Sequence, residues 1–80
     1  MKLNLLLFGI VADLLETNTL ETEVVSKATV LQLKVQLTAQ YPVLENINSY
    51  AIAVNETYAS DTTVLKENDV VAIIPPVSGG

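Results

Sequence analysis

The 80-residue chain contains no Cys, His, Trp or Arg. Without Cys and His it has no thiolate nucleophile, no usual set of zinc ligands and no side chain that ordinarily titrates near neutral pH. It also lacks the disulfides that stabilise many small secreted domains. The positively charged side chains are limited to Lys2, Lys27, Lys34 and Lys66. An internal active site would need an activated carboxylate or lysine, and no residue spacing indicates one.

The charge balance is acidic, with a net charge of −5 and a pI of about 4.3. This disfavours nucleic acid and anionic membranes and favours a basic protein partner. Half of the residues are hydrophobic, but no apolar run reaches the ~18 residues that span a bilayer. An apolar stretch follows Met1-Lys2, yet Asp13 and Glu16 stand where a signal-peptide cleavage site would lie. We expect a cytoplasmic protein.

The chain is short enough for one α+β domain, which we place at residues 1–75, with residues 76–80 as a tail. Apolar patterning predicts strands over residues 3–11, 21–25, 50–54, 57–59 and 70–74, and a polar loop over residues 13–19. A capping box formed by Thr29 and Gln32 predicts the start of a helix, and Pro42 predicts its end. Leu65 is expected to be a buried anchor before the last strand.

The predicted helix has apolar residues at three- and four-residue spacing. The core stripe is Val30, Leu33 and Leu37, widened by Leu31 and Val35, while Gln32, Gln36 and Gln40 are expected to face water. One helix covers one face of a sheet, so the first and last strands should leave apolar side chains on the opposite face. Such a patch is typical of a protein interface. We expect Phe8, Pro75 and Val77 to contact a partner there; the alternative for Phe8 is a place in the core under the helix.

The chain ends in Pro75-Pro76-Val77-Ser78-Gly79-Gly80. The Pro pair stops the last strand and favours an extended chain. Residues 76–80 can therefore reach ~16 Å from the domain and enter a partner's pocket. Glycines fit a narrow channel, and the terminal carboxylate is open to an activating enzyme. We predict that the chemistry takes place at Gly80; the alternative is that the two glycines are filler of the kind common at chain ends.

The order of elements and several motifs resemble the ubiquitin-like β-grasp fold, and in particular the small subunits of molybdopterin synthase, which are sulfur carriers. The matching residues are Leu7-Phe8-Gly9, Ala53-Val54-Asn55, Leu65 with Asp69, Val71-Ala72, and the Pro-Pro-Val-Ser-Gly-Gly end. The resemblance implies a mixed sheet of about five strands on one main helix. One departure is Ala12-Asp13, where relatives often carry Arg-Glu; we expect a substituted surface contact there.

The resemblance also implies a mechanism. An E1-like adenylating enzyme, using ATP and Mg, would activate the Gly80 carboxylate, and a sulfur donor would convert it to a thiocarboxylate. The tail, Pro76 to Gly80 through Val77, Ser78 and Gly79, would insert into the large subunit of the synthase and donate sulfur to cyclic pyranopterin monophosphate in molybdenum cofactor biosynthesis. The chain would bind no cofactor itself, and the catalytic groups would belong to the large subunit.

Three alternatives stay open at this point. A thiamin-pathway sulfur carrier would use the same Gly-Gly chemistry but usually lacks the Pro-Pro pair. A ubiquitin-like modifier would be joined through Gly80 to a target lysine. A purely structural β-grasp interaction module would need no free terminus, so extension beyond Gly80 would leave its function intact and abolish that of a carrier.

Overall fold

A computed structural model describes residues 1–76 of the chain as a five-stranded sheet with two α-helices. The elements in chain order are β1 (Lys2–Leu7), α1 (Gly9–Leu15), β2 (Thr19–Glu23), α2 (Val30–Gln40), two 3-10 turns (Pro42–Leu44 and Ile47–Ser49), β3 (Ala51–Val54), β4 (Thr57–Tyr58) and β5 (Val70–Ile74). The α+β prediction is confirmed.

The sheet is mixed, with the strand order β2-β1-β5-β3-β4. β1 and β5 run parallel, and all other neighbours are antiparallel. The first and last strands therefore lie inside the sheet, as their apolar sequences predict. In the parallel pair Leu7 lies opposite Ile73, so the two strands end at the same edge. The turn after β1 and the chain leaving β5 are thus neighbours.

The core lies between α2 and one face of the sheet. Alternate residues of the two interior strands point into it and meet one stripe of the helix: Leu3, Leu5, Leu7, Val71, Ile73, Val30, Leu33 and Leu37 are all buried. Leu65 is buried with them, as predicted. The predicted capping box is confirmed, because the Thr29 N–H donates to Gln32 Oε1 (2.8 Å) and the Gln32 N–H donates to Thr29 Oγ1 (3.3 Å).

The prediction for residues 3–19 is wrong after Leu7. The first strand was expected to continue to Val11, but Gly9 has φ +54 and turns the chain into α1, which replaces part of the predicted polar loop. Val11 enters the core as the buried residue of this helix. Glu16 ends it in the left-handed region (φ 57), with its N–H directed at the carbonyls of Ala12 and Asp13. Because residues 3–11 are nearly all apolar, the sequence pattern does not indicate that β1 ends at Leu7.

Two details of α2 also differ from expectation. Leu31 and Val35 do not widen the core stripe, since they are 46% and 64% exposed. Gln36 does not simply face water: its Nε2 donates to the Glu23 carbonyl (2.7 Å) and to Thr22 Oγ1 (3.3 Å), which joins the helix to β2. The remaining strand predictions are correct within two residues at each boundary.

Candidate functional site: the root of the carboxyl-terminal tail

The last described residues, Pro75 and Pro76, follow β5 at the edge of the sheet where β1 and β5 end together. Pro75 is half-buried and Pro76 is exposed, and neither has an N–H with which to continue the sheet. A Cβ on Gly9 would lie 3.1 Å from Cγ of Pro75, closer than ordinary van der Waals contact. Glycine at this positive φ therefore lets the first proline of the tail lie directly against the turn after β1.

The predicted tail residues Val77, Ser78, Gly79 and Gly80 lie outside the described residues. Insertion of the tail and modification of Gly80 therefore stay predictions. The same holds for the interface role of Val77. Pro76, the first residue of the predicted tail, is exposed at its root.

An open recess of about 630 Å³ surrounds the root of the tail. Its lining combines the turn after β1, the end of β5 and the second 3-10 turn: Phe8, Gly9, Ile10, Asn46, Ser49, Tyr50, Ile74, Pro75 and Pro76. Asn46 and Ser49 supply hydrogen-bonding groups, and the other side chains are mainly apolar. The structure thus brings two of the three predicted contact residues, Phe8 and Pro75, to one place.

The sheet face opposite α2 carries the second part of the candidate site. We call it the open face and define it by Leu6, Phe8, Ala53, Tyr58, Val70, Ala72 and Ile74. The strand register forms one row across it, from Leu6 through Ala72 and Ala53 to Tyr58. The described elements leave most of this face accessible, as expected from one main helix, although Ala53 within it is 8% exposed. Phe8 lies on it and is 47% exposed.

Two residues of the recognised motifs hold the scaffold behind this face. The Asn55 side chain donates to Asp69 Oδ1 (2.9 Å) and accepts from the Val70 N–H (3.0 Å). Asp69 Oδ2 accepts from the Lys66 N–H (2.8 Å). These bonds connect the β3–β4 turn to the turn that leads into β5. The roles of Asn55 and Asp69 are therefore structural, which their place in a motif did not reveal.

The described part of the chain also contains an ion pair between α2 and the loop that connects β4 to β5. Lys34 Nζ lies 2.7 Å from Asp61 Oδ1 in an ion pair whose lysine is buried and whose aspartate is half exposed. Sequence reasoning missed it because 27 residues separate the partners. Within residues 1–76, no group of three or more His, Cys, Asp or Glu residues could hold a metal ion. No helix in that range has the length and apolarity needed to cross a membrane. At the Ala12-Asp13 pair, where relatives often carry Arg-Glu, Ala12 is half-buried and Asp13 is exposed.

Comparison with known proteins gives a family match over most of the chain. The sequence model of the ThiS family matches residues 5–80 of this chain. A molybdopterin synthase sulfur carrier subunit from Mycobacterium tuberculosis is 41% identical over 81 residues, covering 99% of this chain and 98% of that protein. The subunit of the same name from Arabidopsis thaliana is 32% identical over 80 residues, covering 99% of this chain and 83% of that protein.

Solved structures share the same fold. SAMP1 from Haloferax volcanii superposes with a TM-score of 0.88 at 25% identity, covering 100% of both chains. A chain from the Helicobacter pylori complex of subunits 1 and 2 of molybdopterin-converting factor superposes with a TM-score of 0.71 at 25% identity, also covering 100% of both chains. Together with the mixed five-stranded sheet, these neighbours confirm the ubiquitin-like β-grasp fold.

Proposed function

This chain belongs to the ThiS family, and from that premise we propose that it is the sulfur carrier subunit of a molybdopterin synthase. The observation that carries the proposal is near-full-length identity of 32–41% to carriers of that name. The Pro-Pro-Val-Ser-Gly-Gly end supports it, because a free Gly-Gly carboxylate is the group that such chemistry requires. A fold with no Cys can carry sulfur only on a group other than a side-chain thiol.

The proposed chemistry takes place in two stages at Gly80. A carboxylate oxygen attacks the α-phosphorus of ATP, and pyrophosphate leaves to give an acyl adenylate. A sulfur nucleophile then attacks the carbonyl carbon and AMP leaves, so that sulfur replaces one carboxylate oxygen. ATP, Mg and the adenylating activity belong to a separate E1-like enzyme. Within residues 1–76 there is no His or Cys to supply acid–base or nucleophilic catalysis.

The second partner is the large subunit of the synthase. We propose that it covers the open face and receives the tail, so that the thiocarboxylate reaches cyclic pyranopterin monophosphate. The dithiolene product contains two sulfur atoms, so each product molecule consumes two carriers that bear a Gly80 thiocarboxylate. Hydrolysis returns each Gly80 to a carboxylate. The H. pylori relative, found in a complex of subunits 1 and 2, supports such a heteromer. Apolar residues of an uncovered sheet face suit a permanent protein contact.

The test is reconstitution with the cognate large subunit. Thiocarboxylated chain, large subunit and cyclic pyranopterin monophosphate should give the dithiolene product, while a chain extended by one residue after Gly80 should give none. The proposal fails if the thiocarboxylated chain supplies no sulfur to the pterin under conditions in which a carrier from M. tuberculosis with its own large subunit does so.

A protein modifier is the second candidate function. SAMP1 of H. volcanii, a small archaeal modifier protein, has the same fold over the whole chain. A modifier would use the same activated Gly80 carbonyl, with a lysine amine in place of the sulfur nucleophile. Mass spectrometry of the host proteome separates the two: isopeptides ending in Gly80 on lysines of other proteins indicate a modifier, and thiocarboxylate indicates a carrier. A thiamin-pathway carrier would instead restore thiamin synthesis in a host that lacks its own carrier.

A further inference from the structure

Glu56 occupies a backbone position that its side chain does not favour. It lies in the two-residue turn between β3 and β4, where Asn55 has φ 49 and Glu56 has φ 71. Hairpin turns with two positive φ values favour Asn followed by Gly. A residue with a Cβ is disfavoured in this left-handed region, and Glu lacks the local hydrogen bonding by which Asn tolerates it. Stability of the turn therefore does not account for a glutamate at this position.

The surroundings of Glu56 are apolar. It lines the margin of the open face with Leu6, Tyr58 and Val70, in an open recess of about 360 Å³. It is the only acidic or basic side chain in that lining. A second shallow recess, formed by Leu6, Asn55, Glu56 and Val70, adjoins it. Glu56 thus stands at the edge of the surface that a partner would cover.

No cation of the described chain neutralises this carboxylate. The ion pairs within residues 1–76 are Lys2 with Glu21 and Lys34 with Asp61. In the free protein, water solvates Glu56, which is exposed. A partner that covers the open face removes part of that water, and a carboxylate left without a partner in an interface is costly.

We propose that Glu56 selects the large subunit by pairing with an arginine on the surface that covers the open face. This inference rests on the proposed function, since it assumes that partner. Arginine is the cation that fits, because its planar guanidinium can pair with a carboxylate through two hydrogen bonds and lie on an aromatic ring. The Tyr58 ring, 76% exposed, lines the same recess. A surface with a neutral or acidic group there is rejected by the unpaired carboxylate.

The test compares Glu56 with Glu16, which also has a positive φ but lies away from the open face. Glu56→Gln removes the charge, and Glu56→Gly removes the charge and the backbone strain. Glu16→Gly is the matched control: Glu16 is exposed, has φ 57 at the end of α1 and does not line the open face. For each variant we would measure Tm and the Kd for the cognate large subunit at low and high salt.

We expect both Glu56 variants to raise Kd about 10-fold at low salt and to weaken its salt dependence. Glu56→Gly should bind less tightly while its Tm stays equal or rises by a few degrees, so stability and affinity change in opposite directions. Glu16→Gly should match it in Tm and leave Kd unchanged.

Wild-type affinity in both Glu56 variants would overturn this inference and leave the proposed function standing. Weaker binding by Glu56→Gly alone, with Glu56→Gln unaffected, would also overturn it, because the shape of the turn and not its charge would then matter. Failure of the wild-type chain to bind the large subunit would overturn the proposed function, and this inference with it.

Discussion

Leu7 and Phe8 are adjacent in sequence but lie on opposite sides of the sheet, which makes them a matched pair for separating folding from partner binding. Leu7 is 3% exposed in the core, while Phe8 is 47% exposed on the open face. The Phe8 side chain caps no backbone group of α1. Replacing either residue by Ala therefore removes apolar packing without removing a hydrogen bond.

The expected magnitudes differ because the two environments differ. Leu7→Ala leaves a cavity in a packed core, which costs about 2–5 kcal/mol. At ~4–8 °C per kcal/mol for a domain of this size, Tm should fall by at least about 8 °C. Phe8→Ala loses only about half of the ~1.5–3 kcal/mol of full burial and leaves no closed cavity, so the cost is about 1 kcal/mol. Truncating an anchor at an interface centre often costs ≥ ~2 kcal/mol, a ~30-fold increase in Kd.

The assay is thermal unfolding together with calorimetric binding to the cognate large subunit. Phe8→Ala should show a small decrease in Tm and a large increase in Kd, and Leu7→Ala should show a large decrease in Tm. At a temperature where Leu7→Ala is still folded, its Kd should be near the wild-type value. A Phe8→Ala variant with wild-type affinity and a Tm lowered as far as that of Leu7→Ala would refute the assignment of Phe8 to the partner surface.

Three further variants test the tail and the scaffold. Gly79→Ala should leave Tm and partner affinity within ~0.5 kcal/mol of wild type but sharply lower adenylation or sulfur transfer at Gly80; normal turnover would mean that the glycine is filler. Asn55→Ala should lower the free energy of unfolding by about 2–3 kcal/mol in denaturant titration, since it removes the hydrogen-bond donor to Oδ1 of the buried Asp69 and a residue suited to positive φ; a loss below ~0.5 kcal/mol would contradict the proposed link. Thr29→Ala should cost about 1 kcal/mol through the capping box, and unchanged stability would show that the cap is dispensable.

The features that were predictable from sequence are those with local signals. Thr29, Gln32 and Pro42 define the limits of α2 because caps and helix breakers act over a few residues. The run Val70–Ile74 is bounded by polar turn residues before it and Pro75 after it, so β5 is predicted with its observed limits. The prediction of chemistry at Gly80 also depends on residue type, but it stays a prediction because residues 77–80 lie outside the described range.

The features that were missed depend on contacts between distant segments. Residues 3–11 are nearly all apolar, so no alternation indicated that the strand ends at Leu7 or which side Phe8 faces. The contact between Gly9 and Pro75 follows from the parallel register of β1 and β5. That register pairs residues 66 positions apart in the chain, such as Leu7 and Ile73. The exposure of Glu56 beside an apolar face arises in the same way, from strand order.

The central claim, that this chain carries sulfur on its own carboxyl terminus, is tested most directly by its intact mass. The chain should be incubated with its cognate activating enzyme, ATP, Mg and a sulfide source, and compared with a variant lacking Gly80. We predict a gain of about 16 Da, one oxygen replaced by sulfur, that fragmentation assigns to Gly80 and that the shortened variant does not show. An unchanged mass in the presence of an enzyme that activates other carriers, or the same gain without Gly80, would contradict the claim.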